Sequence, residues 1–341
     1  MLGPLEVFGL SPLSRALAQA RVALRGDGLT PPSRFDLSST RMLDPKLALP
    51  IWLGRRTADR RVPIFNLFNR TPTPLSEGWS VRVRQVRDFR GGRLTYDSHN
   101  GTDFCVPVGT RVVSAAPGRV LRVANELHRG GLKVFVDHGR GLVTSYNHLA
   151  RVLVAPGTVV ARGETIALSG ASGVELVLLF PLVVPHVHFN VWLNGAYVDP
   201  FAAEPVAGDE ACRSAGSAAD EARRSAGSAA DEASLWRGGA NEPLPDDGTG
   251  RDAELPATDW DHDALERTAA SCRHPETRAA LDAERDPERR AMAILHLSRY
   301  FPAHFTLDPL PAPYRAQHPR VPWLDLPFHR ADFVGVRLPP A

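Results

Sequence analysis

Between Trp79 and Phe201 the chain reads as short β-branched runs broken by turn signals: Pro117-Gly118, Gly130-Gly131, Gly139 to Gly141, Pro156-Gly157 and Asn194-Gly195. Runs this short and this regularly spaced predict an antiparallel β domain over residues 79–201. In LKVFVD, Leu132, Val134 and Val136 share one face; in VHFNVW, Val187, Phe189 and Val191 do the same. The two-residue period then sets His186, His188 and Asn190 together on the opposite face.

The flanks have a different texture. Residues 1–78 are mixed, with a helix expected around 12–25 and a proline-punctuated tract at 49–75 whose VPIFNLFNR segment is expected to pack on the next domain as an extended strand. Residues 202–256 form a small, polar segment holding a direct repeat, DEACRSAGSAA at 209–219 and DEARRSAGSAA at 220–230, whose copies differ only at Cys212 and Arg223. Such residues bury too little apolar surface to build a core, so a duplicated linker is expected. Residues 257–341 read as helical to about 301, with Asp286 capping a helix that starts at Pro287, followed by a proline-rich tail expected to lie as an irregular strap. The predicted fold class is therefore mainly β, an antiparallel sheet or sandwich with a mixed N-terminal region and a helical C-terminal region.

Composition narrows the partners. Forty basic against 38 acidic residues leave a net charge of +2, which gives no electrostatic reason to expect nucleic acid or an anionic membrane as partner. No apolar run reaches the length of a membrane-spanning helix, and no basic start leads into an apolar run, so no transmembrane segment and no export signal are expected and localisation stays unassigned. Cys105, Cys212 and Cys272 are odd in number and far apart, which argues against a disulfide framework.

The candidate chemistry lies in HNGTDF at 99–104 and PHVHFNV at 185–191. Hydrolytic zinc takes three nitrogen or oxygen ligands and keeps one position open for water. His99, Asp103 and one of His186 and His188 would supply two imidazoles and a carboxylate; spacing alone leaves open which of the pair binds. His148, at the end of the predicted strand TSYNHL, could stand opposite as an acid or base.

Taken in order, HNGTDF, VPVGTRVVSAAPGRV, VDHGRGLVTSYNHL, APGTVVARGETIALSGASG, PHVHF and NGAYVDP make residues 80–201 resemble the LytM/lysostaphin-type zinc metallopeptidases of the M23 family. The resemblance implies a metallopeptidase fold with zinc on His99, Asp103 and His188, and with His148 and His186 as catalytic histidines. It also implies an endopeptidase working on peptidoglycan stem peptides or cross-bridges, in the cell envelope or secreted. A catalytically silent peptidoglycan-binding or hydrolase-activating module, or a docking scaffold, is the alternative; retention of all five positions favours the enzyme.

Three positions depart from the family pattern. Asn190 replaces a glutamate that usually follows His-x-His-Phe, and Cys105 stands where a small inert residue is expected. Eleven residues, VELVLLFPLVV at 174–184, separate Gly173 from Pro185 where the family has a few. They would extend a core strand or form an apolar flap that contacts substrate or a partner. His138, in a DHG turn, reads as structural, and His128 carries no assigned role.

Overall fold

The computed structural model describes residues 2–92, 95–202, 233–238, 241–248, 255 and 257–339; the repeat at 209–230 and Cys212 lie outside them. Three helices, α1 (Pro4–Val7), α2 (Leu13–Arg25) and α3 (Pro45–Trp52), open the chain. The helix expected around 12–25 is α2, held at its start by Pro12 and ended at Gly26. VPIFNLFNR runs extended as expected. Its first residues form β1 (Arg61–Pro63), paired in parallel with β11 (Gly335–Arg337), and Ile64 then bridges Phe104.

The β-branched runs build one antiparallel sheet of nine strands among the described residues. These are β2 (Thr102–Cys105), β3 (Arg111–Val113), β4 (Gly118–Glu126), β5 (Gly131–Asp137), β6 (Leu142–Val152), β7 (Val159–Val160), β8 (Thr165–Ser169), β9 (His186–Leu193) and β10 (Ala196–Val198). The main order is β10-β9-β6-β5-β4-β7, with β2 on β9 and β8 joining β3 and β6. Register puts Asp103 opposite His188, Cys105 opposite His186, and Asn147 opposite His188. That register is what assembles the site, because every ligand candidate lands on two adjacent strands or the turn before them.

Alternation in the strands serves two cores. Val134, Val136, Val187, Phe189 and Val191 join the larger apolar cluster with Phe104, Tyr146 and Trp236. The reverse face is also buried: Phe135, Val143 and Trp192 pack with Met292, Leu295 and Tyr300. The cover comes from α5 (His262–Ala270), α6 (Pro275–Ala283) and α7 (Pro287–Tyr300). Asp286 caps α7 as expected, its carboxylate accepting from the Arg289 amide. The tail after Phe301 is an irregular strap whose Leu324, Leu326, Phe328 and Phe333 fill the larger core.

The 174–184 insertion is neither all core nor all flap. It opens with the short helix α4 (Val174–Leu178). Leu176, Val183 and Val184 are buried, whereas Leu178 and Phe180 are 62% and 51% exposed. Its anchored residues pack with Val7, Phe8 and Trp52, so the N-terminal region and the insertion support each other. Cys105 is buried with Ala48, Ile51 and Val184, as a small apolar side chain would be.

Candidate metal centre

Four imidazoles and one carboxylate converge at the end of the β2–β9 pair, and the hydrogen bonds on their outer edges fix which way each faces. His99 Nδ1 donates to the Leu67 carbonyl at 2.7 Å, His186 Nδ1 to Val184 at 2.7 Å and His148 Nδ1 to Ser172 at 2.6 Å. A carbonyl only accepts, so each of these rings carries its proton on Nδ1 and turns a bare Nε2 lone pair away from that carbonyl. His188 is reversed. Its Nδ1 faces Asp103 Oδ1 at 2.7 Å, and its Nε2 is 3.1 Å from Asn100 Oδ1, which accepts from it in the tautomer whose Nδ1 is bare. Asn190 Nδ2, 2.9 Å from the same Nε2, spends its protons on Asn100 O and Oδ1 at 2.7 and 2.9 Å.

Candidate ligand atoms of three of these residues meet. His99 Nε2 lies 3.0 Å from Asp103 Oδ1, His188 Nδ1 lies 2.7 Å from the same oxygen, and the two nitrogens are 3.2 Å apart. Asn66 donates to the other carboxylate oxygen at 2.7 Å, which orients Asp103. Three lone-pair donors in mutual contact, all buried, repel one another unless a cation or shared protons lie between them. Their separations are close to the edge of about 3.3 Å expected for ligands at about 2.0–2.1 Å around tetrahedral zinc. The donor set fits such an ion.

His186 Nε2 is 3.6 Å from Asp103 Oδ1, outside that triangle, and the His148 and His186 rings meet edge to face with centroids 4.8 Å apart. The structure thus brings together His99, Asp103, His148, His186 and His188. His138 is spent elsewhere, on Pro117 O and Thr144, and His128 lies in the wall of the adjacent cavity.

Burial would raise the Asp103 carboxyl, but the facing His99 and His186 imidazoles and the contact with His188 outweigh it and hold Asp103 well below the usual carboxylate range. Burial also holds His148 well below the ordinary imidazole value, with His186 and His188 adding to it, and brings His188 to about 4 against the pull of Asp103. Both are neutral imidazoles at pH 7. His148 sits at φ +61°, a left-handed backbone that costs a non-glycine residue about 1–3 kcal/mol.

Above the triangle lies a cavity of about 310 Å³. Its walls come from Leu24, Phe35 and Met42 of the N-terminal region and from Leu178 and Leu179 of the insertion; Tyr96, Asn100, His148 and His188 meet it at the end beside the triangle. Glu175 also faces it, with Oε1 3.4 Å from His148 Nε2. Sequence reasoning missed Glu175, although it is the one charged residue in VELVLLFPLVV.

A second group, Asp27, His274 and His304, also sits within ligand reach of one another. There the imidazoles stack face to face at 4.0 Å and 6°, and both His304 nitrogens are taken, by Thr30 and Thr277. Lone pairs in parallel planes do not converge on one ion; this group ties the N-terminal turn to the C-terminal helices.

Residues 97–200 match peptidase family M23. The chain is 39% identical over 110 residues to peptidoglycan DD-endopeptidase ShyB of Vibrio cholerae, a match covering 32% of this chain and 24% of that protein. It is 39% identical over 106 residues to an uncharacterized metalloprotease of Haemophilus influenzae, covering 31% and 21%. Among solved structures, the catalytic domain of lysostaphin from Staphylococcus simulans aligns at 27% identity and a TM-score of 0.27, covering 30% of this chain and 77% of that one. The chain therefore spans about a fifth to a quarter of the length of these two relatives. Within this chain, residues 97–200 are a domain of peptidase family M23.

Proposed function

We propose that this domain is a zinc-dependent endopeptidase acting on peptide bonds of peptidoglycan stem peptides or cross-bridges. The observation that carries the reading is the close contact of three buried ligand atoms, His99 Nε2, Asp103 Oδ1 and His188 Nδ1, within reach of a single ion. When bound there, zinc supplies a water of lowered pKa and polarises the scissile carbonyl. The remaining work falls to side chains. His148 and His186 each hold Nδ1–H on a backbone carbonyl, so each Nε2 is free to take the water's proton, support the oxyanion or return a proton to the leaving amine. The substrate class rests on the peptidoglycan DD-endopeptidases among the relatives, together with the five retained side chains, which speak against a silent module.

Metal analysis of the full chain should find about one zinc, and His99→Ala, Asp103→Ala and His188→Ala should each lower it. Purified peptidoglycan treated with the wild type should release fragments whose masses identify the bond cut. Stoichiometric zinc in all three variants, or intact peptidoglycan after treatment with zinc-loaded protein, would overturn the reading.

A further inference from the structure

The insertion brings to the site a charged group that neither of the matching histidine motifs contains. Glu175 opens α4, and its carboxylate reaches back over Gly173 toward His148. The meeting depends on the glycine. A Cβ on Gly173, whose φ is +149°, would stand 2.7 Å from Glu175 Oε1 and 2.8 Å from His148 Nδ1. Backbone contacts on both sides fix the approach: the Val174 amide donates to Leu127 O, and Leu176 is buried beneath the helix. The carboxylate faces the same cavity that His148 and His188 reach.

We propose that Glu175 is a positioning residue for the hydrolytic reaction, a carboxylate held beside His148 to stabilise that ring while it carries the proton of the attacking water. The proposal rests on the endopeptidase reading above. His148 Nδ1 is committed to the Ser172 carbonyl, so the incoming proton must go to Nε2, the nitrogen 3.4 Å from Glu175. The resulting imidazolium lies against a carboxylate; the hydroxide left behind adds to the carbonyl carbon. When the C–N bond breaks, the proton passes from Nε2 to the leaving nitrogen. His148 and Glu175 end as they began, and the net change is water plus amide to acid plus amine. Catalytic contacts are commonly loose before substrate binds, which suits a separation of 3.4 Å.

The charged groups around Glu175 are consistent with this role. Burial in the cavity wall raises its carboxyl to about 7, Asp103 pushes the same way, and Lys133 and Arg129 oppose. An adjacent imidazolium favours the ionised form at the moment it is needed.

The test uses the full zinc-loaded chain, purified peptidoglycan and its soluble fragments as substrate, and five variants, the His148→Ala background and its double with Glu175→Ala among them. Glu175→Gln and Glu175→Ala should lower kcat about 10- to 100-fold, with KM within about twofold and with zinc content and Tm unchanged. Glu175→Asp should recover part of the loss. In a His148→Ala background, Glu175→Ala should cost nothing further, since both act through one ring. Wild-type or raised kcat in Glu175→Gln, or an equal loss with and without His148, would overturn the proposal. A wild type that cuts nothing removes the endopeptidase reading itself, and the Glu175 proposal with it.

Discussion

The left-handed backbone at His148 is held in place from both sides, its amide donating to Gly130 O and its carbonyl accepting from the Gly170 amide. That strain gives a prediction separable from catalysis. His148→Gly should be more stable than His148→Ala by about 1 kcal/mol, read as a higher Tm, because only glycine occupies φ +61° at little steric cost. Both variants, and His186→Ala, should keep zinc and lose about 10²- to 10⁴-fold in turnover. Asp137 offers a pH test away from the site. Burial raises its carboxyl to about 6, above the unfolded value, so the proton is favoured in the folded state and stability falls as pH rises from about 4 through 6. Asp137→Asn should therefore exceed the wild type by about 1–3 kcal/mol above pH 6 and match it near pH 4, checked by melting curves across that range. The convergence of His99, Asp103, His186 and His188 was legible because HNGTDF and PHVHF each place their histidines and aspartate a fixed distance along a strand or its entry turn, and neighbouring strands bring them and His148 of β6 together. The assignment of His188 over His186 to the triangle was not legible from spacing. It depends on which ring nitrogen faces a carbonyl, a property of the folded backbone.

Among elements, the insertion and α7 show how distant segments complete a local motif. Leu176 is fully buried under α4 while Leu178, two residues on, is 62% exposed at the cavity. Leu176→Ala should cost about 2–5 kcal/mol of stability, whereas Leu178→Ser should stay within about 0.5 kcal/mol and change substrate affinity instead. Equal Tm losses from both would mean the segment is core throughout. From the other end of the chain, Tyr300 of α7 donates to Asn190 Oδ1 at 3.2 Å, an oxygen that Ser145 and Asn147 also use. This answers the departure from the family's glutamate: a neutral amide at Asn190 accepts three hydrogen bonds and donates to Asn100, with no need of charge. The strands were readable from their alternation, but not the burial of both faces, since nothing local in β5 or β9 announces that α5 to α7 will cover the second one.

At the scale of the whole molecule, the last C-terminal helix and the sheet meet around one buried charge cluster. Lys133 is completely buried, its ammonium 3.0 Å from Glu126 and over the Tyr300 ring at 4.4 Å, while Glu126 also faces His296 at 3.3 Å. Lys133→Met should cost about 3–5 kcal/mol by leaving Glu126 without its ammonium, and Lys133→Met with Glu126→Gln should recover much of that; denaturant melts of the single and double variants would show it. The same burial has a practical side. Lys46 is the other lysine in the chain and stands exposed at the start of α3. An amine-directed reagent applied to the folded protein therefore meets one accessible lysine, so a dye, a biotin or a surface linkage carried on a side chain, as distinct from a free α-amino group, would sit at Lys46.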